Sequence, residues 1–212
     1  MDKITAMQNT QLSQKISEVF HADSTVLDAI SKTDRAAFVP AGLKQHAYKL
    51  DALPIGASQW ISSPLTVAKM SHYLKCKGAD RVLEVGCGSG YQAAILSHLF
   101  RGVFTIERIE SLAIDAKRRF KQESLHNIHV RTDDGQRGWI QHAPYDRIIF
   151  SATSTHIPDA IKKQLSEGGI LLAPMLINDS EMIVRFTKRS GRLVEEILES
   201  CEFVPIVNGT QK

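Results

Sequence analysis

Apolar residues along the chain change their spacing three times. Leu12, Ile16 and Val19 recur at helical intervals within residues 11–20, and Ser24 is a capping candidate for a second short helix. From residue 38 to residue 64 periodicity is lost, and Pro40, Gly42, Pro54, Gly56, Ser58, Ser62, Ser63 and Pro64 mark a long irregular loop. Loops of that length in a compact protein are commonly functional. Ser62 or Ser63 before Pro64 signals a helix start, because proline at the first helical position gives up no needed hydrogen bond. The predicted helix runs through Leu65, Ala68, Met70 and Leu74 and ends near Gly78.

Beyond Gly78 short, continuously apolar runs alternate with helical patterns. Strands are predicted at 81–85, 103–107, 128–131, 146–150 and 170–173, and helices at 91–99, 109–120 and 158–165, the last closed by Gly168 and Gly169. Apolar strands separated by helices indicate a mostly parallel sheet covered on both faces. Residues 182–187, 193–197 and 202–207 read as further strands joined by turns such as Ser190-Gly191, which adds an antiparallel edge. The predicted fold is α/β, a doubly wound Rossmann-like sheet with antiparallel C-terminal edge strands and an N-terminal helical extension.

With 212 residues, 43% of them hydrophobic and 23% charged, the chain suits one globular domain. Residues 1–60 would supply the N-terminal helices and a substrate and cofactor loop, 61–175 the cofactor-binding core, and 176–212 the C-terminal strands. No stretch approaches the roughly 18 apolar residues of a membrane span, and the N-terminus lacks a signal-peptide pattern. Cys76, Cys87 and Cys201 are odd in number and widely spaced, which argues for no disulfide framework and for the cytoplasm. A formal charge of +3 does not imply nucleic acid, and the basic run Lys117, Arg118, Arg119 and Lys121 reads as a solvated helix face. Nothing fixes an oligomeric state, and a monomer is favoured.

The chemistry concentrates in Leu83-Glu-Val-Gly-Cys-Gly-Ser-Gly-Tyr91, a strand entering a glycine turn and then a helix. Gly86, Gly88 and Gly90 allow close approach of a ligand to the backbone. Dinucleotide loops are usually G-x-G-x-x-G and present amides to a pyrophosphate, whereas here the spacing is G-x-G-x-G. Glu84 precedes the turn, Glu107 ends the next strand 21 residues after Gly86, and Asp133 and Asp134 follow the third. Carboxylates suit S-adenosylmethionine, whose ammonium, sulfonium and ribose hydroxyls they can neutralise or bind. No G-x-S-x-G elbow, G-K-[ST] loop or H-E-x-x-H appears, and His126 and His129 flank or enter a strand, so no metal site is expected.

Several blocks resemble the protein-L-isoaspartate (D-aspartate) O-methyltransferase family: Leu53-Pro-Ile-Gly56, Gln59 with Ile61-Ser62 and Pro64, the glycine block 83–94, Phe104-Thr-Ile-Glu-Arg108, Asp134-Gly135, Ala143-Pro-Tyr-Asp146 and Phe203-Val-Pro205. The resemblance implies methyl transfer from S-adenosylmethionine to isoaspartyl, and possibly D-aspartyl, carboxylates of damaged proteins. S-adenosylhomocysteine is released, and the ester then collapses to a succinimide. It also implies that Ser62 is the active-site serine, that Gln59, Trp60, Ile61 and Ser62 line the cofactor and substrate, and that Glu84, Glu107, Asp134 and Gly135 contact the cofactor along with Gly86, Gly88 and Gly90. Members commonly carry threonine where this chain has Trp60, and glycine is frequent where it has Ala57.

An aspartyl-type carboxylate has a pKa of about 3.9 and is already ionised at neutral pH, so no general base is needed. Ser62 is therefore expected to orient rather than to attack. Phe203-Val-Pro205 is expected to pack an edge strand. Two alternatives remain open: a methyltransferase for another carboxylate or small acceptor, which Trp60 encourages, and a non-catalytic module that binds the cofactor or damaged peptides.

Overall fold

The computed structural model describes residues 2–212. Helix α1 (Lys3–Val19) begins two turns earlier than the apolar spacing indicates, because Asp2 caps it by accepting from the Thr5 amide at 2.9 Å. Its first turns carry exposed Ile4 and Met7 and bury little, which left no stripe to read; Leu12 and Ile16 are buried, whereas Val19 is exposed. In α2 (Ser24–Lys32) Asp23 takes the cap position, so Ser24 is the first helical residue. The expected irregular loop holds two 3-10 turns, Arg35–Ala37 and Ala41–His46, and a two-residue ladder of β1 (Leu53–Pro54) against β2 (Trp60–Ile61). Ser63 caps α3 (Pro64–Tyr73), its hydroxyl accepting from the Thr66 amide at 3.0 Å. That helix stops short of Gly78 because Lys75 already has a positive φ of 51°.

The alternating segment forms β3 (Arg81–Val85), α4 (Tyr91–Ser97), β4 (Gly102–Glu107), α5 (Glu110–Gln122), β5 (Ile128–Thr132), β6 (Tyr145–Phe150), α6 (Asp159–Gln164) and β7 (Leu165–Ile177), followed by β8 (Ser180–Arg189) and β9 (Arg192–Ser200). The seven-stranded sheet has the order β5-β4-β3-β6-β7-β8-β9, parallel through β7 and antiparallel at β8 and β9. Successive strands depart from β3 in opposite directions, so a crevice opens between β3 and β6, the position at which such sheets bind ligands. Strand residues alternate between two cores. Val82, Val103, Ile149 and Leu172 face the layer of α1 to α4, and Leu83, Phe104, Ile148 and Leu171 face the layer of α6. Burial on both faces explains why the strands read as unbroken apolar runs.

Two expectations fail near the C-terminus. Gly168 and Gly169 do not close a helix; they lie inside β7, where the pairing with β6 shifts register between Tyr145 and Arg147 and Gly168 takes a φ of 74°. Residues 202–207 are not an edge strand. They leave the sheet after Ser200 and cross the ends of the parallel strands, touching them through one bridge between Thr153 and Pro205. Among the described residues no helix is long and apolar enough to cross a membrane.

Candidate active site

The carboxyl ends of β3, β4 and β6 deliver Glu84 to Gly86, Ile106 to Arg108 and Ser151 to one cavity. Gln59 to Ser62, Phe203 to Val207, and residues of α3 and α4 such as Thr66 and Tyr91 complete its walls. Of the residues expected to contact a cofactor, Gln59, Trp60, Ile61, Ser62, Glu84, Gly86, Gly88, Glu107 and Gly135 line this cavity.

Gly90 and Asp134 do not. Gly90 is a packing glycine: a Cβ there would meet the Phe120 ring at 2.7 Å, so only the absence of a side chain lets α4 lie on α5. Asp134 lies outside the lining and braces backbone, its Oδ1 accepting from the Gln136 amide at 3.0 Å and its Oδ2 from the Gly209 amide at 2.9 Å. Asp133 pairs with Arg131 at 2.5 Å. The acidic cluster foreseen from the sequence thus reduces to Glu84 and Glu107.

These two carboxylates differ. Glu107 accepts from the Gly88 amide at 2.8 Å and from the Ile109 amide at 2.9 Å, which fixes both of its oxygens at the cavity wall. Glu84 is fully buried, and accepts from the Thr105 hydroxyl at 2.6 Å and the Ser151 hydroxyl at 3.3 Å. Burial, with a smaller contribution from nearby Glu107, pushes its pKa up to about 8 despite both hydroxyls. Thr105 could have been anticipated, since it sits opposite Glu84 in the β3–β4 register.

The glycine turn offers little to a phosphate. The amides of Gly86 and Cys87 donate to the Ile106 carbonyl at 2.9 and 3.2 Å, that of Gly88 to Glu107, and that of Gly90 to the Cys87 carbonyl at 2.9 Å. A pyrophosphate site needs such amides free. Arg108 also lines the cavity, but its guanidinium turns to the C-terminal segment, where Nε donates to the Gly209 carbonyl at 3.1 Å. Two carboxyl groups at the wall, with the guanidinium turned away, fit a cationic ligand. The Cys87 thiol is buried beside both glutamates and is held well above its usual pKa, so it is no nucleophile.

A second cavity adjoins the first and shares Trp60, Ser62, Thr66, Ser151, Phe203 and Val204 with it. Ser62 therefore stands where two spaces meet. Its hydroxyl does not cap α3, because Ser63 does so. Phe203 and Val204 line both spaces, which corrects the expectation that this block only packs an edge strand. Its apolar character was visible in the sequence, but a buried strand and a cavity wall share that signature.

Comparison with known proteins decides the family. The model of the protein-L-isoaspartate (D-aspartate) O-methyltransferase family matches residues 6–211. The chain belongs to that family. A Helicobacter pylori (strain P12) protein named protein-L-isoaspartate O-methyltransferase is 50% identical over 209 residues, covering 98% of this chain and all of its own. One of the same name from Shewanella sp. (strain ANA-3) is 41% identical over 209 residues, covering 99% of each chain. Among solved structures, a protein-L-isoaspartate O-methyltransferase superposes with a TM-score of 0.87 at 22% identity over 93% of this chain, which spans 65% of that one. A Plasmodium falciparum structure described as a family member in complex with S-adenosyl-L-homocysteine gives 0.83 at 18% identity, covering 94% of this chain and 98% of its own. The last two likenesses bear on the fold, a Rossmann-like methyltransferase sheet. The sequence relationship makes the chain a transferase, an O-methyltransferase of isoaspartyl residues.

Proposed function

We propose that the first cavity holds S-adenosylmethionine, that the second receives the isoaspartyl segment of a damaged protein, and that Ser62 orients the acceptor where the two join. The observation that carries this reading is the sharing of Ser62 between a cavity walled by Glu84 and Glu107 and a neighbouring open one. When bound, the donor supplies an electrophilic methyl group on a sulfonium. The chain's own residues bind, align and exclude water.

Glu107, fixed by two amides, is placed to accept from ribose hydroxyls. Glu84, at the buried end, is placed to meet the ammonium, and a cation there favours its ionised form. The acceptor carboxylate arrives ionised, so what remains is in-line approach. The Ser62 hydroxyl, unused by the helix cap, donates to one acceptor oxygen and turns the other toward the methyl carbon. Trp60 and Phe203 shield the junction from water, which would otherwise solvate the nucleophile. A backbone amide nitrogen of the substrate then attacks the ester carbonyl and methanol leaves, which forms the succinimide spontaneously. Three free cysteines, two of them buried, are consistent with work in the cytoplasm.

The test is steady-state methylation of an isoaspartyl peptide by Ser62→Ala beside titration with S-adenosylhomocysteine. Turnover is expected to fall about 10- to 100-fold, matching about 1.5–3 kcal/mol for one hydrogen bond to a charged group. Donor-product affinity is expected to stay within about threefold, or 0.7 kcal/mol. Unchanged turnover would remove Ser62 from this role.

A further inference from the structure

Arg35 lies outside both cavities and carries no sequence motif, yet among the described residues it is the largest fully buried side chain. Its guanidinium meets no carboxylate in an ion pair among the described residues. Instead, Nη1 donates to the Ala47 carbonyl at 2.7 Å, and Nη2 donates to the carbonyls of Asp51 at 2.9 Å and Ser62 at 3.0 Å. The Nε hydrogen has no partner. On its other side the guanidinium carbon lies 5.6 Å from the centroid of the Tyr91 ring, which itself lines the donor cavity.

Stability alone gives little reason for this arrangement. A buried cation with no carboxylate partner is commonly matched or bettered by an apolar side chain of similar volume. What an apolar side chain cannot do is join three separated stretches of backbone through one rigid plane. Here the plane joins the end of the 3-10 turn at Ala47, the entry to β1 at Asp51, and Ser62.

The consequence falls on Ser62. Its carbonyl is held by Arg35, the next residue is locked as the cap of α3, and the preceding residue is paired across the ladder as Ile61 with Leu53. Backbone fixed from three directions leaves the hydroxyl only its own rotamers. Without the guanidinium the Ser62 peptide unit loses the contact on its buried side, and the segment Gln59 to Ser62 gains room to shift. A displacement of about 1 Å at a reacting centre can cost on the order of 100-fold in rate.

We infer that Arg35 is a positioning residue for methyl transfer, holding the Ser62 backbone so that the hydroxyl faces the junction of the two cavities. This rests on the assignment of Ser62 above. Glu84 and Glu107 are held by other groups, so their contacts to the donor do not pass through Arg35, and its effect on donor binding is confined to the walls formed by Gln59 to Ser62 and Tyr91.

Arg35→Lys, Arg35→Met, Ser62→Ala and the double variant Arg35→Lys/Ser62→Ala test the inference, each normalised to active sites counted by S-adenosylhomocysteine titration. Normalisation removes any unfolded fraction, and the lysine variant keeps charge while losing the fork. Both Arg35 variants are expected to lose about 10- to 100-fold in kcat with S-adenosylhomocysteine Kd within about threefold. In the Ser62→Ala background the lysine substitution is expected to cost less than about threefold more, because the two residues act through one contact. Losses that multiply, or kcat per site equal to wild type in Arg35→Lys while Ser62→Ala is impaired, would overturn the role of Arg35. Wild-type kcat in Ser62→Ala would instead overturn the assignment of Ser62.

Discussion

Glu84 and Thr105 face each other across β3 and β4, and the threonine hydroxyl donates to the buried carboxylate at 2.6 Å. The hydroxyl is a neutral partner for a group that burial has moved far from its ordinary range.

A pH dependence follows from this pair. Glu84 titrates near 4.5 in the unfolded chain and near 8 when folded, so between those values the folded state binds more protons. Its contribution to stability is present in full below pH 4.5 and is lost as pH rises through 8. Thermal unfolding of the ligand-free protein is expected to show this downward slope, and Glu84→Gln is expected to flatten it. Binding of a cationic amino acid moiety favours the ionised carboxylate, so calorimetry with S-adenosylhomocysteine at pH 7 is expected to show a proton released to buffer. Uptake of a proton, or none, would contradict the placement of the ammonium beside Glu84.

Asp134 is expected to act on the donor only through the C-terminal segment. Its carboxylate holds the Gly209 amide, Gln136 contacts Asn208, and Gln211 donates its amide to the Arg108 carbonyl and accepts from the Glu110 amide, while residues 203–207 wall the cavity. Removal of residues 208–212 leaves every cavity residue in place but releases that wall. The Gly209 bond to the Asp134 carboxylate alone is worth about 1.5–3 kcal/mol, so releasing the wall is expected to weaken S-adenosylhomocysteine binding at least about tenfold, and Asp134→Ala in the shortened chain to add little. Calorimetric Kd values for the three proteins decide the matter, and independent effects would indicate direct contact.

Trp60 is 54% exposed and lines both cavities, so it is expected to serve the acceptor as an apolar wall. Trp60→Thr is expected to raise KM about fivefold for isoaspartyl peptides with an aromatic neighbour, matching about 1 kcal/mol of ring contact, with kcat little changed. A lower KM would identify the indole as a plug.

Ala57 and Ser58 lie at φ of 57° and 54° between the Gly56 carbonyl and the Gln59 amide that it accepts from. Two central residues of positive φ are the condition of a type I′ turn, which favours Asn-Gly. This is the physical reason glycine is frequent at this point in the family. The double change Ala57→Asn with Ser58→Gly is expected to stabilise the protein by about 1 kcal/mol in chemical denaturation.

The fold was legible because its signals are local. Apolar strands such as 81–85 and 146–150 appear where buried parallel strands must be continuously apolar, and Gly86 marks the turn that opens the site. Glu84 and Glu107 could be singled out for the same reason, each lying at or beside a strand end near the glycine turn, whereas Ser62 was singled out through the family resemblance; that the three line one cavity is what the structure adds. What escaped depends on distant parts of the chain. That Asp134 braces Gly209 rather than lining the cavity depends on a partner 75 residues away, and residues 202–207 resemble a strand until they are seen to leave the sheet. Arg35 carries no local sign, because its three partners are carbonyls from residues 12 to 27 positions away.

The most direct test is methylation of two peptides identical except that one carries an isoaspartyl and the other an aspartyl residue, followed by transfer of the donor's labelled methyl group. The account predicts label on the isoaspartyl peptide alone, as a base-labile ester. Equal labelling of both peptides, or of neither while S-adenosylhomocysteine still binds, would contradict it.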